Sequence, residues 1–581
     1  MSDKTKDTAG QNTATQPVTC ADAFSAPSDR RLVGGGSLGR AWQIFTGHLL
    51  AGVGVLRWYG CRKRGWFVVV RHRGRNGVVL LFTVLALVAV SASVGAASGV
   101  EPISGLSPYP DGGDPTDPVA VTQCNGEPQT GVLYRNSETE PYLAVNPLDS
   151  DNMIAAWHQD RWSNGAAQGL GAAYSFDGGV TWSLVNIPFT RCSGAEPGSA
   201  GDYGRASDPW VSFGPDGTAH YMALVADNTP NRNGMAIARS TDGGVTWTEP
   251  QIIKAHPARD PVGASLFHDK NSITADPFDP NLVYATWTLF RNGVTSLLVA
   301  RSTDGGEKWG PPIPIATFGT VNPAEVAFFR QGAQIVVLPD GTLVNAFYRI
   351  LFDQKNLVVT FEQALFRSED GKHWERLDIA VDEFAPAGAF DPELGIPVRD
   401  AGQIPDIAVD DSTGALYLTW QQRNSQGLVE VVVSRSTDGG FTWSTPIRVS
   451  QEGENVQSFL PAVSVNNDGT VGILYYDFRN DVLGDAPLST DVHLALFNAD
   501  LTSLGERRIT PESFDTRQMV ITGSRGYFPG DYVGLDTAGA DFVAAFTVAN
   551  DLGLPVDFPQ SPGLFVDNNN RQDIAFARET P

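Results

Sequence analysis

Short apolar segments with strand-like alternation recur along the chain from about residue 124 onwards. One type reads MAIARS at Met235–Ser240 and returns as LLVARS at Leu297–Ser302 and VVVSRS at Val431–Ser436. Two other types precede it, and their first copies are PYLAVNP at Pro141–Pro147 and MIAAWHQD at Met153–Asp160. Alternation at period two between turn residues is typical of half-buried β-strands. The pattern therefore predicts a succession of short strands.

A turn-like octapeptide follows the third strand type at regular intervals. Its first copy reads SFDGGVTW, and successive copies begin 65, 62, 66 and 68 residues apart, which indicates a repeat array. The glycines permit the positive φ of a tight turn, the aspartate accepts N–H groups of its own turn, and the tryptophan anchors the turn on its sheet. We predict a structural role for Asp177, Asp242, Asp304, Asp370 and Asp438. The copies are Ser175–Trp182, Ser240–Trp247, Ser302–Trp309, Ser368–Trp374 (one residue short) and Ser436–Trp443.

The strand template continues where the octapeptide ends. LPAVSVN, VGILYYDF and VHLALFNAD form a sixth unit, and DYVGLD, DFVAAFTV and DIAFARE form a seventh. The seventh unit lacks a fourth strand, which we expect to come from the segment 119–134, with Cys124 in it. The pattern predicts an all-β fold over residues 124–581, a seven-bladed β-propeller of four-stranded antiparallel blades.

The N-terminal part of the chain has a different character. Residues 1–76 are polar and then basic, and we expect a disordered extension there. The uncharged run Val78–Val90 follows basic residues and precedes small ones, which is the order of a secretory signal peptide. Residues 77–96 are therefore predicted to be a signal-peptide core, or a signal anchor that stays in the membrane through residues 78–100, and residues 97–123 a linker. Both alternatives place the body outside the cell.

Charge and cysteine usage agree with an exported, acidic body. The net charge is −24, yet residues 1–96 hold 12 basic and 4 acidic residues, which leaves 29 basic and 61 acidic residues for the rest. Such a body is a poor match to nucleic acid, whose phosphates require Lys and Arg. Cys124 and Cys192 are the pair in the exported part, and a disulfide is predicted, with two free buried thiols as the alternative. Membrane contact is expected only through the N-terminal apolar segment, and the sequence leaves the oligomeric state open.

Strand parity locates the polar chemistry. If strands alternate in direction, the octapeptide turns share one face, and the opposite face holds the loops into each first strand and the turns between second and third strands. Arginines there suggest recognition of a carboxylate or sulfate, and carboxylates there suit general acid–base chemistry, with simple Arg–Asp pairing as the alternative. The residues predicted at that face are Arg135, Glu138, Glu140, His158, Asp160, Arg161, Asp202, Arg205, Asp208, Asp227, His268, Asp269, Lys270, Arg291, Glu325, Arg349, Asp353, Arg399, Asp400, Asp406, Arg423, Glu454, Asp477, Arg479, Asp481, Arg525, Tyr527 and Asp531.

We expect no cofactor. His and Cys spacing does not resemble a zinc site, the glycines lie in hairpins instead of a phosphate loop, and G-x-S-x-G is absent from residues 124–581. A structural Ca²⁺ held by Asp208, Asp406 and Asp531 is the alternative, because a hard cation prefers clustered oxygen ligands.

The octapeptides match the Asp-box signature, the bacterial neuraminidase repeat S-x-D-x-G-x-x-W. Residues 124–579 therefore resemble the sialidase superfamily of β-propellers, whose six-bladed form is the alternative architecture. The resemblance implies three arginines that hold a substrate carboxylate, an aspartate acid/base, and a tyrosine nucleophile activated by a glutamate. LYRNS at Leu133–Ser137 stands where the family has F/Y-R-I-P.

On this resemblance, Asp160 is the predicted acid/base, Tyr527 the nucleophile and Glu138 its activating base, with Glu325 as a second choice of base. A ring of Tyr527 packed against Pro529 as an aromatic plug is the alternative, and Asp160 with Asp477 is then the alternative carboxylate pair. The predicted substrate-binding arginines are Arg135, Arg161, Arg205, Arg349, Arg399 and Arg525.

Two functions are compatible with the sequence. One is a secreted, sialidase-like exo-glycoside hydrolase that acts on an extracellular glycan. The other is a non-catalytic extracellular propeller that binds glycan or protein at the cell surface. A propeller scaffold hosts both kinds of protein, so the fold does not choose between them.

The late position of the apolar run leads to a prediction about the mature protein. A signal peptide normally begins near the first residue, so we place the functional start codon near Val70 and cleavage close to Ala96. N-terminal mass spectrometry of the native product should find a chain that begins after residue 96. A peptide from residues 1–40 in that product would contradict the prediction.

Overall fold

The structure, a computed structural model, describes most of the chain from residue 100 onwards. The gaps in it are 110–123, 128, 229–230, 258, 261–262, 318, 323–324, 376–378, 401, 452–454, 523–525, 551–564 and 568–571. The chain divides into two compact units, Met1–Gly95 and Ala96–Pro581. The apolar run of the signal or anchor prediction lies outside the described residues. In the described ranges no helix combines the length and apolarity needed to cross a membrane.

The first compact unit is described only at four short strands. Strand β1 (His48–Leu50) pairs antiparallel with β2 (Val55–Arg57), and β3 (Tyr59–Gly60) pairs antiparallel with β4 (Trp66–Phe67).

The second compact unit is built from strands, and the predicted all-β class is confirmed. Two short strands, β5 (Glu101–Pro102) and β6 (Val132–Tyr134), come first. The strands that follow form antiparallel up-and-down groups of four, numbered here in chain order within the described residues. The first three are group 1, β7 (Thr139–Asn146), β8 (Asp149–Trp162), β9 (Ala167–Ser175) and β10 (Ser183–Asn186); group 2, β11 (Arg205–Phe213), β12 (Ala219–Asn228), β13 (Asn231–Ser240) and β14 (Gln251–Pro257); and group 3, β15 (Leu266–Ala275), β16 (Val283–Arg291), β17 (Val294–Ser302) and β18 (Ile313–Ala316).

The later groups repeat this order with small additions. A short strand β19 (Gly319–Asn322) extends group 4, and β32 (Phe514–Asp515) precedes a 3-10 helix at Thr516–Gln518. Their strands are group 4, β20 (Glu325–Val337), β21 (Leu343–Asp353), β22 (Val358–Ser368) and β23 (Ile379–Phe384); group 5, β24 (Asp406–Val409), β25 (Leu416–Arg423), β26 (Val429–Ser436) and β27 (Ile447–Arg448); group 6, β28 (Ser458–Val465), β29 (Val471–Asp477), β30 (Ser489–Phe497) and β31 (Ser503–Arg508); and group 7, β33 (Gly534–Ala538), β34 (Asp541–Ala549) and β36 (Gln572–Glu579), with β35 (Phe565–Asp567) between the last two.

The strand that completes group 7 differs from the prediction. It is β5, which pairs with β36 and is continued by a hydrogen bond of 2.8 Å from Ile103 N to Ile574 O. The segment 119–134 contributes β6 instead, which pairs with β8 and, in parallel, with β35. The first part of the predicted linker 97–123 therefore belongs to the body. Two paired residues are too short to leave an alternation in the sequence.

The octapeptides form the turns between third and fourth strands. In the first copy Asp177 accepts hydrogen bonds from the backbone N–H (2.8 Å) and the hydroxyl (2.6 Å) of Thr181, and the indole N–H of Trp182 donates to Gly179 O. Asp242 and Asp438 repeat these contacts within their own turns, which is the role predicted for them. The remaining copies at Asp304 and Asp370 also accept N–H groups of their own turns.

At three junctions, an arginine of one group's third strand donates to an octapeptide turn of the next group. Arg239 of group 2 donates to Gly305 O in the octapeptide of group 3, and Arg301 of group 3 donates to Asp370 O in that of group 4. Arg578 of group 7 reaches Gly178 O in group 1 at 3.4 Å. The same kind of contact thus connects the last group to the first.

Side chains of the first strands also join neighbouring groups. Asp406 of group 5 accepts the backbone N–H of Val463 in group 6 at 2.7 Å, and Asp536 of group 7 accepts that of Val145 in group 1 at 2.8 Å. The apolar core lies between adjacent groups, where tryptophans of the second strands such as Trp157 are fully buried. The predicted disulfide between Cys124 and Cys192 is confirmed.

The contact between groups 7 and 1 can be tested at Gly179. A Cβ on Gly179 would lie 2.2 Å from the ring of Phe576, whereas one on Gly341 would meet nothing within 4 Å, although both residues have positive φ. Alanine costs about 1–2 kcal/mol of backbone strain at either site. We expect overpacking against Phe576 to remove about 1–3 kcal/mol more from the free energy of unfolding of Gly179→Ala. Equal denaturation midpoints for the two variants would contradict this contact.

Candidate functional site

A buried cluster of charged side chains forms where the first strands of groups 1, 2, 3 and 7 begin. Its acidic members lie in the first halves of β7, β11 and β15 and in the loop before β33, and its basic members come from β8, β15 and the segment before β24. We call this set the central cluster. Its members are Glu140, His158, Arg161, Asp208, Asp269, Lys270, Arg399 and Asp531.

Strained backbone directs several of these side chains. Glu140, Asp208 and Lys270 have φ values of 53°, 52° and 50°, in the left-handed region that non-glycine residues rarely adopt. The strand register shifts directly at or after each of them, so each lies in a β-bulge. Bulges turn side chains out of the regular alternation, and such strain concentrates at functional sites.

Lys270 supplies the positive charge at the centre. Its ammonium lies 2.5 Å from Asp531 Oδ2, 3.8 Å from Asp208 Oδ2 and 3.9 Å from Glu140 Oε1. Arg399 Nη2 contacts the same oxygen of Asp531 at 2.9 Å. Two cations therefore share the carboxylate of Asp531, and the ammonium of Lys270 also lies close to the carboxylates of Asp208 and Glu140.

Glu140 and His158 form a second pair inside the cluster. Glu140 Oε2 lies 2.8 Å from His158 Nε2, and the backbone N–H of Asp208 donates to the same nitrogen at 3.0 Å. Burial raises the pKa of Glu140, but the charges of His158 and Lys270 outweigh it and hold that pKa well below its ordinary value. Glu140 is thus an ionised carboxylate at neutral pH.

These contacts bear on metal binding. Ligand atoms of Glu140, His158 and Asp208 lie within 4.8 Å of one another, and the ammonium of Lys270 stands beside both carboxylates. In the Ca²⁺ alternative, Asp406 and Asp531 would be ligands; Asp406 accepts a backbone N–H of group 6, and Asp531 contacts Lys270 and Arg399. Lys270 and Arg399 would compete with a cation for these carboxylates, and the Ca²⁺ alternative stays a prediction.

Asp269 has the opposite titration behaviour to Glu140. Burial and the nearby carboxylates of Asp208 and Asp531 raise its pKa to about 7, despite the lowering effect of Lys270. Its side chain is partly exposed, and Oδ2 accepts a hydrogen bond of 3.0 Å from Gln331 Nε2. Two carboxyl groups with pKa values moved apart are what general acid–base chemistry requires.

Two arginines flank an aromatic ring beside this cluster. The guanidinium of Arg161 lies 4.8 Å from the ring centroid of Phe528, and that of Arg399 lies 4.4 Å from it. Arg161 is buried, and its Nη1 donates to the carbonyls of Trp162 and Ala166. Arg399 is partly exposed, so it is the arginine of this pair that an anion can reach.

The structure brings the predicted acid/base Asp160 and base Glu138 together, but in a separate cluster. The side-chain amide of Gln159 donates to both carboxylates. Residues after β5 cover them, since Ser107 Oγ donates to Asp160 Oδ2 at 2.6 Å and Ser104 Oγ to Glu138 Oε2 at 3.2 Å. Both acids are fully buried, and burial raises the pKa of each.

The other predicted arginines bind within the protein. Arg135 donates to Tyr109 O, and Arg349 pairs with Glu362 at 2.5 Å. Arg205 donates to Gln129, Asn164, Gly165 and Thr130 and stacks on Trp162. Arg525 lies outside the described residues. Of the five arginines that the structure describes, Arg161 and Arg399 reach the central cluster.

Tyr527 has the surroundings of the alternative role, a packed aromatic. Its ring is fully buried in an apolar cluster with Val398, Met519 and Ile521, and burial raises its pKa to about 12. This packing favours the alternative role, and the nucleophile assignment stays a prediction. Tyr527 is held there by pairing with the segment before β24, through Arg399 N to Tyr527 O at 2.7 Å, which the local sequence does not reveal. Asp477, the alternative partner of Asp160, is bound by Arg479.

The acidic members of the central cluster and Lys270 were predicted at this face, but without individual roles. A signal for two of them is present in the sequence. Glu140 and Asp208 directly precede the proline at the start of a first strand, as does Leu460, and all three have positive φ. Alignment of the first strands on this proline would have singled out Glu140 and Asp208 as residues that point away from the sheet.

Comparison with known proteins agrees with the octapeptide resemblance. No family model matches the chain. A sialidase of Bacteroides fragilis is 24% identical over 297 residues, which are 42% of this chain and 53% of that protein. A sialidase of Micromonospora viridifaciens is 24% identical over 316 residues, 43% of this chain and 45% of that one. The chain resembles the sialidase superfamily. It spans about half the length of these curated relatives.

Solved structures were compared as well. The Hadza microbial sialidase Hz136 has 15% identity and a TM-score of 0.39, covering 74% of this chain and 73% of that one. An α-L-arabinanase of Penicillium chrysogenum with arabinobiose has 13% identity and a TM-score of 0.39, covering 60% and 93%.

Charge balance in the central cluster predicts the behaviour of Lys270→Met. Removal of the ammonium leaves buried carboxylates uncompensated, and we expect the free energy of unfolding at pH 7 to fall by about 3–5 kcal/mol. The depressed pKa of Glu140 contributes stability above its ordinary pKa, and that stability disappears as pH falls. That loss occurs below about pH 4.5, so the absence of Lys270 should matter less at pH 3.5 than at pH 7.

Denaturant titrations at both pH values measure this difference. Lys355→Met is the matched control, because Lys355 is exposed in a turn. An equal loss of stability at pH 3.5 and pH 7 would contradict the assigned role of Lys270.

Proposed function

We propose that the protein is a secreted, sialidase-like glycoside hydrolase that acts on an extracellular glycan through the central cluster. The observation that carries the proposal is that two carboxyl groups of the central cluster have pKa values shifted in opposite directions. The pKa of Asp269 is raised to about 7, and that of Glu140 is held low. The sequence similarity to two sialidases supports the same reaction class.

In this proposal Asp269 is the general acid. It is partly exposed and protonated near neutral pH, so it can donate a proton to the oxygen of the scissile glycosidic bond. Ionised Glu140 stabilises the positive charge that develops on the sugar ring. Arg399 binds an acidic group of the glycan, and Asp531 holds Arg399 in place through Nη2.

The proposed architecture is a seven-bladed β-propeller, in which groups 1 to 7 are the blades. Contacts of Asp536 with Val145 and of Arg578 with Gly178 support closure between groups 7 and 1. The starts of the first strands would then surround one mouth of a central channel. Export is supported by the disulfide, which is typical of oxidising compartments.

A non-catalytic propeller that binds glycan or protein is the second candidate. The observation in its favour is the environment of the residues carried over from sialidases. Asp160 and Glu138 lie beneath Ser104 and Ser107, and Tyr527 is packed in the core.

One set of variants distinguishes the hydrolase from the binding protein. The same set decides whether Asp269 or Asp160 is the general acid. The purified body is assayed against fluorogenic glycosides and polysaccharides, and bound glycans are identified on an array. We expect Asp269→Asn to lower kcat at least about 10²-fold, the usual contribution of general acid–base catalysis. Asp160→Asn should keep most of the activity, and Asp500→Asn, in an exposed turn, is the control. The wild-type kcat/KM should fall above about pH 7 as Asp269 loses its proton.

Other outcomes reassign the function. Loss of activity in Asp160→Asn alone would return the acid/base role to the residue predicted from sequence. Glycan binding without hydrolysis of any substrate would favour the binding protein.

A further inference from the structure

A hydrogen-bonded chain leads from group 4 to Asp269 in group 3. The hydroxyl of Tyr348 donates to Gln331 Oε1 at 3.0 Å, and Gln331 Nε2 donates to Asp269 Oδ2 at 3.0 Å. Gln331 on β20 and Tyr348 on β21 are direct cross-strand partners. Among the hydrogen bonds of the described residues, the one from Gln331 is the one that reaches the carboxylate of Asp269.

The chain determines the orientation of the Gln331 amide. An amide has one carbonyl acceptor and one NH₂ donor group. Because the carbonyl receives the Tyr348 hydroxyl, the NH₂ group must face Asp269. A reversed amide would donate to the hydroxyl oxygen of Tyr348 instead and would place its carbonyl against the carboxylate, which is repulsive while Asp269 is ionised.

The backbone also holds Gln331 in this position. It lies at a bulge, since the register of β20 shifts between Gln331 and Gln334, and Gly332 has a φ of 70°. A Cβ on Gly332 would lie 2.7 Å from the side chain of Ile404, so the chain passes close to the segment before β24. The ring of Tyr348 packs on Phe329 with centroids 5.5 Å apart.

We propose that Gln331 and Tyr348 are positioning residues for Asp269, because the amide donates to Oδ2 and so leaves Oδ1 as the oxygen that carries the transferable proton. This assignment rests on the proposed function only in the use of that proton. The effect on the carboxyl group itself is independent of any substrate. The charged and titratable groups that face Asp269 are Lys270, Asp208, Asp531, Arg399 and Tyr348.

The direction of the effect follows from the hydrogen bond. A donor to the ionised carboxylate lowers its pKa, so loss of that donor raises it. Gln331→Ala removes the donor. Tyr348→Phe removes the hydroxyl that holds the amide, so the amide can reverse and its carbonyl then accepts a hydrogen bond from neutral Asp269. Both variants should raise the pKa of Asp269 by about one unit, the size expected for a hydrogen bond to a charged group.

Protein stability measures this pKa without a substrate. The raised pKa makes the folded protein bind a proton that the unfolded chain has lost, so stability attributable to Asp269 decreases from about pH 4 up to its folded pKa. The unfolding free energies of wild type and Asp269→Asn are compared from pH 4 to pH 9, and their difference should become constant above about pH 7. Gln331→Ala and Tyr348→Phe are each compared with the double variant that also carries Asp269→Asn. In both comparisons the difference in unfolding free energy should become constant about one pH unit higher than in the wild-type background.

Tyr417→Phe is the matched control, because it removes a tyrosine hydrogen bond of 2.8 Å to Ala499 O in another group. We expect it to leave the Asp269 profile unchanged. An unmoved profile in both Gln331→Ala and Tyr348→Phe, or an equal shift in Tyr417→Phe, would overturn the proposal.

Enzyme kinetics then separate the two levels of inference. With an active substrate, the alkaline limb of kcat/KM should move upward by the same amount, and kcat should fall while KM stays near the wild-type value. Full activity of Asp269→Asn would refute the proposed function while the stability profiles still decide whether Gln331 and Tyr348 orient Asp269.

Discussion

The structure depends on how the free edge of each first strand is satisfied. A first strand pairs on one side within its group, and its other edge carries buried backbone groups that need partners. Side chains of the neighbouring first strand supply them, as with Asp406 and Val463 N or Asp536 and Val145 N. Burial raises the pKa of Asp406 to about 7 and that of Asp536 to about 6, so these bonds are formed against a desolvation cost. They set the distance between neighbouring groups.

The central cluster forms where this edge pattern is interrupted. Bulges at Glu140, Asp208 and Lys270 release the side chains from the sheet at the start of the first strands. Several carboxylates then share a small buried volume, and Lys270 and Arg399 compensate part of their charge. Burial and the neighbouring carboxylates raise the pKa of Asp269 to about 7, whereas His158 and Lys270 in the same cluster hold the pKa of Glu140 low.

Sequence alone predicts the local parts of this arrangement. The octapeptide turns, the strand order and the Cys124–Cys192 bond follow from patterns that lie within a few residues or from a cysteine count. The fourth strand of group 7 does not, because β5 has two residues and its partner β36 lies more than 400 residues away. The surroundings of Tyr527 could not be predicted for a related reason, since its contacts with Val398 and Arg399 N depend on which segments meet in space. Strand parity predicted the face on which the charged residues lie, but not which of them are neighbours there.

The two acid clusters differ in what surrounds them, and this difference separates scaffold from chemistry. Glu138 and Asp160 accept hydrogen bonds from Gln159 and from serines of the segment after β5, and Asp573 on β36 lies beside Glu138. They connect the N-terminal strand to the first and last groups, as closure contacts would. Asp269 instead sits partly exposed, with one amide donor and cations already engaged by Asp531. Asp269 has few hydrogen bonds to the protein, so it can exchange a proton with a ligand. Glu138 and Asp160 are covered by hydrogen-bonded segments, and part of the fold would have to open before a ligand could reach them.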